Sequence, residues 1–178
     1  MDHAGIDYAR RAGTGLLGVV LSRFVRHYTV TDIADLVPLI RKNISRNFPS
    51  ASTKGTKVSP SKSHPNVTAT PLDWLELQRA SSSIRPSLVP EDPADLLLVV
   101  DCIYHPSLLP ALLTTIDYLT IPDKTVVVVA VELRAEDVVR EFLQRWLDMA
   151  AEGRWEMWSV NGLMDGPYAV WVGWKVTS

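Results

Sequence analysis

The stretch Ala12-Gly13-Thr14-Gly15-Leu16-Leu17-Gly18, with Asp32 seventeen residues beyond Gly15, narrows the folds open to this chain more than any other feature. Glycines let a backbone turn sharply and approach a ligand without a Cβ clash. Leu16, Leu17, Val20, Leu21 and Phe24 recur at helical spacing behind the turn, predicting a helix over about 14–26. The first N–H groups of such a helix have no partner within it. His27-Tyr28-Thr29-Val30-Thr31 is β-branched and aromatic, and reads as a strand ending at Asp32. An acid in that place can accept hydrogen bonds from ribose hydroxyls. Turn, helix, strand and acid in this order describe a nucleoside-cofactor site of the doubly wound α/β type.

The rest of the chain keeps the alternation. Leu36, Val37, Ile40 and Ile44 predict a second helix, with Pro38 tolerated in its first turn. Val67–Leu72 is extended and stops at Asp73-Trp74, followed by a polar loop over about 78–93. The run Asp95-Leu-Leu-Leu-Val-Val-Asp101 is continuously apolar between two acids, as in a parallel strand covered on both faces. Leu108, Leu109, Leu112, Leu113, Ile116 and Leu119 stripe a helix, and Thr125–Val131 is another buried strand. Val138, Val139, Phe142, Leu143, Trp146 and Leu147 stripe a further helix ending near Gly153. Trp155–Val160 and Tyr168–Val176 form an antiparallel hairpin, whose Trp155, Trp158, Trp171 and Trp174 read as core. The expected fold is one α/β domain over 1–178 with a mostly parallel sheet and this C-terminal hairpin.

Composition removes several functional classes. At 47% hydrophobic and 21% charged, the chain is ordinary for a globular protein. Its one cysteine, Cys102, leaves no internal disulfide and suits a reducing compartment, so a cytoplasmic or also nuclear setting is expected. Met1–Arg11 has no apolar signal-like core, and runs such as Val126–Val131 are too short to span a bilayer, so no membrane partner is expected. His3, His27, His64 and His105 show no ligand spacing, and no metal is indicated. Charge is uneven: no acid lies between Asp35 and Asp73, while Arg41, Lys42, Arg46, Lys54, Lys57 and Lys62 are basic. A surface for an acidic partner and a solvated loop both fit that run. Residues 48–66, rich in Ser, Lys, Pro and Thr, read as a flexible insertion. Direct nucleic-acid binding is not expected.

Four segments carry a resemblance: VTDIADLVPLIRKNI (30–44), PLDW (71–74), DLLLVVDCIYHPSLLPALL (95–113) and VVVVAVELRAEDVVREFL (126–143). Together they resemble the seven-β-strand, S-adenosylmethionine-dependent protein-lysine methyltransferases, in particular the fungal ribosomal-lysine branch, in register from about Ala12 to Trp174. The most specific element is Asp101-Cys102-Ile103-Tyr104, similar to that family's DxxY motif after the fourth strand. The resemblance implies a Rossmann-like methyltransferase sheet and S-adenosylmethionine as cofactor. It also implies a protein partner presenting a lysine, ribosomal or otherwise from the translation machinery. Residue by residue, it places Ala12, Gly13 and Gly15 beside the methionine part of the cofactor. Asp32 then falls on the ribose, Trp74 near the adenine and Val100 at the small-residue position. Asp101 and Tyr104 border the lysine channel as the catalytic pair.

The sequence departs from the family at its start. Ala9 stands where the family's first strand ends in an acid, and Arg11 where a glycine follows. Tyr8-Ala9-Arg10-Arg11 is a poor central strand, because adjacent arginines would be costly to bury unpaired. The chain is therefore expected to lack the family's N-terminal segment, with 1–11 disordered and the first strand degraded or missing. Two functional readings follow, an active protein-lysine methyltransferase and a catalytically impaired remnant that binds proteins. Single residues also keep plainer alternatives. Gly13-x-Gly15-x-x-Gly18 fits a dinucleotide fingerprint, Asp32 could cap the next helix, and Trp74, Tyr104 and Cys102 could be packing. Asp101, ending a buried strand, would be costly there without a role.

Overall fold

A computed structural model describes residues 6–10, 15–48, 66–151 and 153–177, with the backbone alone for 6–10. Ala12, Gly13 and most of the expected insertion, 49–65, lie outside the described residues. The strands are β1 (Ile6–Arg10), β2 (His27–Asp32), β3 (Val67–Pro71), β4 (Leu96–Val100), β5 (Val126–Glu132), β6 (Trp155–Val160) and β7 (Tyr168–Lys175). The helices are α1 (Leu16–Leu21), α2 (Val37–Asn47), α3 (Trp74–Arg79), α4 (Leu109–Leu119) and α5 (Glu136–Ala151). They flank one seven-stranded sheet of order β3-β2-β1-β4-β5-β7-β6, in which only β7 runs antiparallel to its neighbours. The chain order reverses between β1 and β4, and a crevice opens at such a point beyond the carboxyl ends of the strands.

The centre of this sheet is filled by residues 6–10, which corrects the expectation of a degraded or missing first strand; the rest of 1–11 lies outside the described residues. Ile6–Arg10 pairs in parallel with β2, Ala9 opposite Val30, and with β4, Ala9 opposite Leu98. The physical reason is that ladder pairing is made by backbone groups, which any non-proline residue supplies. Arg10 is moreover the last residue of the strand as described.

Two cores sit on opposite faces. The larger joins α3, α4 and α5 to Leu97, Val99, Val127, Val129 and Val131, with Phe142 tilted against Trp146 and Trp146 edge-on to Trp155. The smaller joins α2 to Tyr28, Val30, Val67, Ala69 and Leu98. α1 is shorter than the expected 14–26 and meets the sheet through Gly18, where a Cβ would lie 2.9 Å from Val30 Cγ2 and 3.1 Å from Tyr28 Cδ1. Leu16, Val20 and Phe24 are exposed, at 62%, 51% and 76%, while Leu17 and Leu21 pack on the smaller core. Of the four C-terminal tryptophans only Trp155 is fully buried. Trp158, on the edge strand β6, is 62% exposed. The expected insertion is anchored at both ends: Phe48 packs on the smaller core, and the Asn66 amide donates to Ser22 O (2.7 Å) and Val25 O (2.8 Å).

Candidate functional site

Asp32 ends β2 inside the switch-point crevice. It is 5% exposed, and its Oδ1 accepts from Ile33 N at 2.8 Å. α2 begins after Leu36 with no side-chain cap, so Asp32 is not the cap of that helix. The Asp32 carbonyl accepts from Leu72 N at 2.8 Å, tying the end of β2 to the turn after β3. That turn does not merely end a strand, as the sequence suggests for Trp74. Trp74 opens α3, and Asp73 caps it, its carboxylate accepting from Leu75 N at 2.8 Å and Glu76 N at 3.3 Å. Asp73 and Glu76 stand at capping-box spacing, a signal the strand reading passed over.

Asp32, Ile33, Leu72, Asp73, Trp74, Leu75 and Leu108 line one cavity. Asp32 and Trp74, chosen from the sequence, thus meet; Ile33, Leu72, Leu75 and Leu108 were not anticipated. The cavity has the buried Asp32 carboxylate and the helix-capping Asp73 among otherwise apolar walls. That donor set suits a nucleoside, with acceptors for a sugar diol and flat apolar surface for a base. Trp74 is 7% exposed and belongs to the larger core, so it forms the cavity's back wall while packing like any core aromatic.

Gly15 precedes α1 at φ +80, a left-handed conformation open to glycine at little cost. An added Cβ there would lie 3.2 Å from Ile40 Cγ2. Val100, half-buried at the end of β4, packs on the smaller core and is not among the cavity residues above.

Beyond β4 the chain enters the DxxY segment. Cys102 and Ile103 are buried, at 1% and 4%, and anchor the segment, while Asp101 and Tyr104 on either side are exposed. Asp101 donates its N–H to Ala130 O at 2.8 Å and takes φ +52. The expected argument from a buried acid therefore fails, since this carboxylate lies past the strand end in solvent. The backbone here takes the left-handed region, as Asp123 also does, a conformation that Asp adopts more readily than most side chains.

Glu132, ending β5, pairs with Arg134. The Arg134 hydrogen bond and charge hold the Glu132 carboxyl below its usual range, and the same pairing raises the guanidinium. Asp101 and Tyr168 add to the field at Arg134, which sets these four residues at one end of the sheet. Among the described residues no cluster of metal-ligating side chains occurs, and no helix is long and apolar enough to cross a membrane.

A family model described as lysine methyltransferase matches residues 11–148. The protein N-lysine methyltransferase METTL21A of Danio rerio is 30% identical over 125 residues, covering 70% of this chain and 48% of that protein. Ribosomal lysine N-methyltransferase 5 of Eremothecium gossypii is 30% identical over 146 residues, covering 73% of this chain and 45% of that protein. The chain thus spans about half the length of the curated relatives it matches. An O-methyltransferase from Bacillus cereus, solved with SAH, shares the fold. It has a TM-score of 0.64 at 15% identity, covering 98% of this chain and 75% of that one.

Proposed function

This chain belongs to the lysine methyltransferase family, and on that premise we propose that it transfers a methyl group from S-adenosylmethionine to a lysine of a protein. The observation that carries the reading is the buried Asp32 carboxylate in a cavity at the end of β2, with the DxxY segment from Asp101 following β4 on the other side of β1. S-adenosylmethionine supplies a methyl already activated on a sulfonium, so the protein's task is chiefly alignment.

Asp32 would accept the ribose hydroxyls, while Trp74, Ile33 and Leu72 wall the adenine. The turn Ala12-Gly13-Thr14-Gly15 would pass the methionine end, and Val100 would leave room beside it. At the acceptor end, Asp101 would hold the lysine ammonium and Tyr104 would shape its channel. A free lysine amine has a pKa of about 10.4, so the ammonium must shed its proton before it attacks. A carboxylate that orients it without burying it leaves that proton a path to water.

The acceptor we favour is a ribosomal or translation-factor protein, an assignment suggested by the ribosomal lysine methyltransferase among the relatives. Such an acceptor would place the reaction in the cytoplasm or nucleus. The pairing of β1 on both sides takes the missing strand out of the case for a catalytically impaired remnant, while Ala9 and Arg11 still stand where the family has an acid and a glycine. The test is calorimetric titration with S-adenosylmethionine, followed by radiolabelled methyl transfer onto ribosomes and whole-cell extract. Saturable cofactor binding with label on a protein lysine is the expected result. Absence of both would overturn the reading.

A further inference from the structure

Beyond Asp101 the ends of β5 and β7 form a surface with no part in the steps above. Glu132 stands opposite Tyr168 in the β5–β7 register, and Arg134 pairs with Glu132 two residues later. The loop carrying Arg134 is fixed by its backbone: Leu133 N donates to Pro167 O at 2.7 Å, and Arg134 N to Glu132 O at 2.8 Å. Tyr168 shares a small cavity with Leu163 and Met164 of the hairpin tip. Leu133, Leu163, Met164 and Tyr168 are all exposed, making an apolar rim around a tethered cation.

We propose that Arg134 is a specificity residue that reads the neighbour of the target lysine, favouring a protein segment with an acidic flank and rejecting a basic one. This rests on the reading that Asp101 receives the lysine. The pair is neutral as a whole, but it is not symmetric. The arginine side chain is 69% exposed and the glutamate 27%, so the positive end faces the solvent from which a peptide arrives. A guanidinium has five donors in a planar fork; those not turned to Glu132 match an incoming carboxylate. A peptide whose lysine sits at Asp101 carries its adjacent residues only about 3.5 Å per position away, within the range of that charge. The apolar rim beside it can cover an apolar residue further along.

The test uses fluorescent lysine peptides that differ only at the flanking positions, Asp in one and Lys in the other. Their binding is read by anisotropy in the presence of S-adenosylhomocysteine, so no turnover is needed. The acid-flanked peptide should bind about five- to tenfold more tightly, since an exposed attraction and the matching repulsion each contribute a few-fold. Arg134→Glu should reverse the preference, and Arg134→Lys should retain most of it, a rescue that a merely structural role would not give. Equal affinity for the two peptides, an unchanged preference in Arg134→Glu, or no binding of either peptide overturns the proposal. Methyl transfer is measured on the same peptides in separate samples supplied with S-adenosylmethionine. Transfer without a flank preference counts against Arg134 alone; a preserved preference without transfer counts against the catalytic reading alone.

Discussion

At Asp101 the backbone and the charge make separable contributions. Its φ of +52 is a conformation that Asp and Asn tolerate better than other side chains. Asp101→Asn therefore keeps the turn and removes only the negative charge. If the carboxylate orients the lysine, turnover should fall by ~100-fold or more while cofactor affinity stays within about twofold, because misplacing a reacting group can cost several kcal/mol. Asp32→Ala should do the opposite, weakening the cofactor through loss of a buried acceptor. Parallel calorimetry and methyl-transfer assays separate the two; equal activity of Asp101→Asn and the parent would remove Asp101 from the acceptor site. At Glu132 the outcome is a titration. Its folded-state value lies below the 4.5 of an unperturbed group, chiefly through the hydrogen bond from Arg134. The pair's contribution is therefore complete above about pH 4.5 and is lost as pH falls through the lowered value. Carboxyl carbon shifts followed by NMR should give a midpoint below the ordinary range, returning to it in Arg134→Ala.

Among the elements, α1 ties sequence to packing most tightly. Gly18 is where the helix touches β2, and a methyl group there meets Val30 and Tyr28, both fully buried. Gly18→Ala should cost ~1–3 kcal/mol despite the higher helix propensity of alanine, while Leu16→Ala, on the exposed side, should change stability by less than about 0.5 kcal/mol. Urea unfolding checks both, and a silent Gly18→Ala would mean that the helix sits further from the sheet. The periodicity of this segment announced a helix but not that Gly18 would be its point of contact, because a glycine adds nothing to a hydrophobic pattern. The continuous runs of β4 and β5 were legible because a strand covered on both faces needs apolar residues at every position. The end of β2 at Asp32 was legible as an acid closing a β-branched and aromatic run. The cavity walls contributed by Leu72, Leu75 and Leu108 were not, because three separate elements bring them together and each residue alone reads as core.

For the whole molecule, the sheet order makes β1 the element that joins two halves. β2 and β3 lie on one side of it and β4 to β6 on the other, and no other strand pairs with both β2 and β4. The two lobes of the crevice belong to different halves: Asp32 and Trp74 follow strands on one side, and Asp101 follows a strand on the other. Alignment of donor and acceptor therefore depends on a strand whose residues look unsuited to the centre. Ala9→Pro tests this directly. Ala9 faces Val30 on one neighbour and Leu98 on the other, and proline is confined to edge strands because it cannot donate to the ladder. Orphaning one buried carbonyl costs about 1–3 kcal/mol, to which steric misfit of the ring is added. Against a typical domain stability of ~5–15 kcal/mol, that loss is large but survivable. The expected outcome is a lower urea midpoint read by tryptophan fluorescence, with cofactor affinity and methyl transfer both reduced in protein that remains folded. Were the centre of the sheet empty, the same substitution would change none of the three.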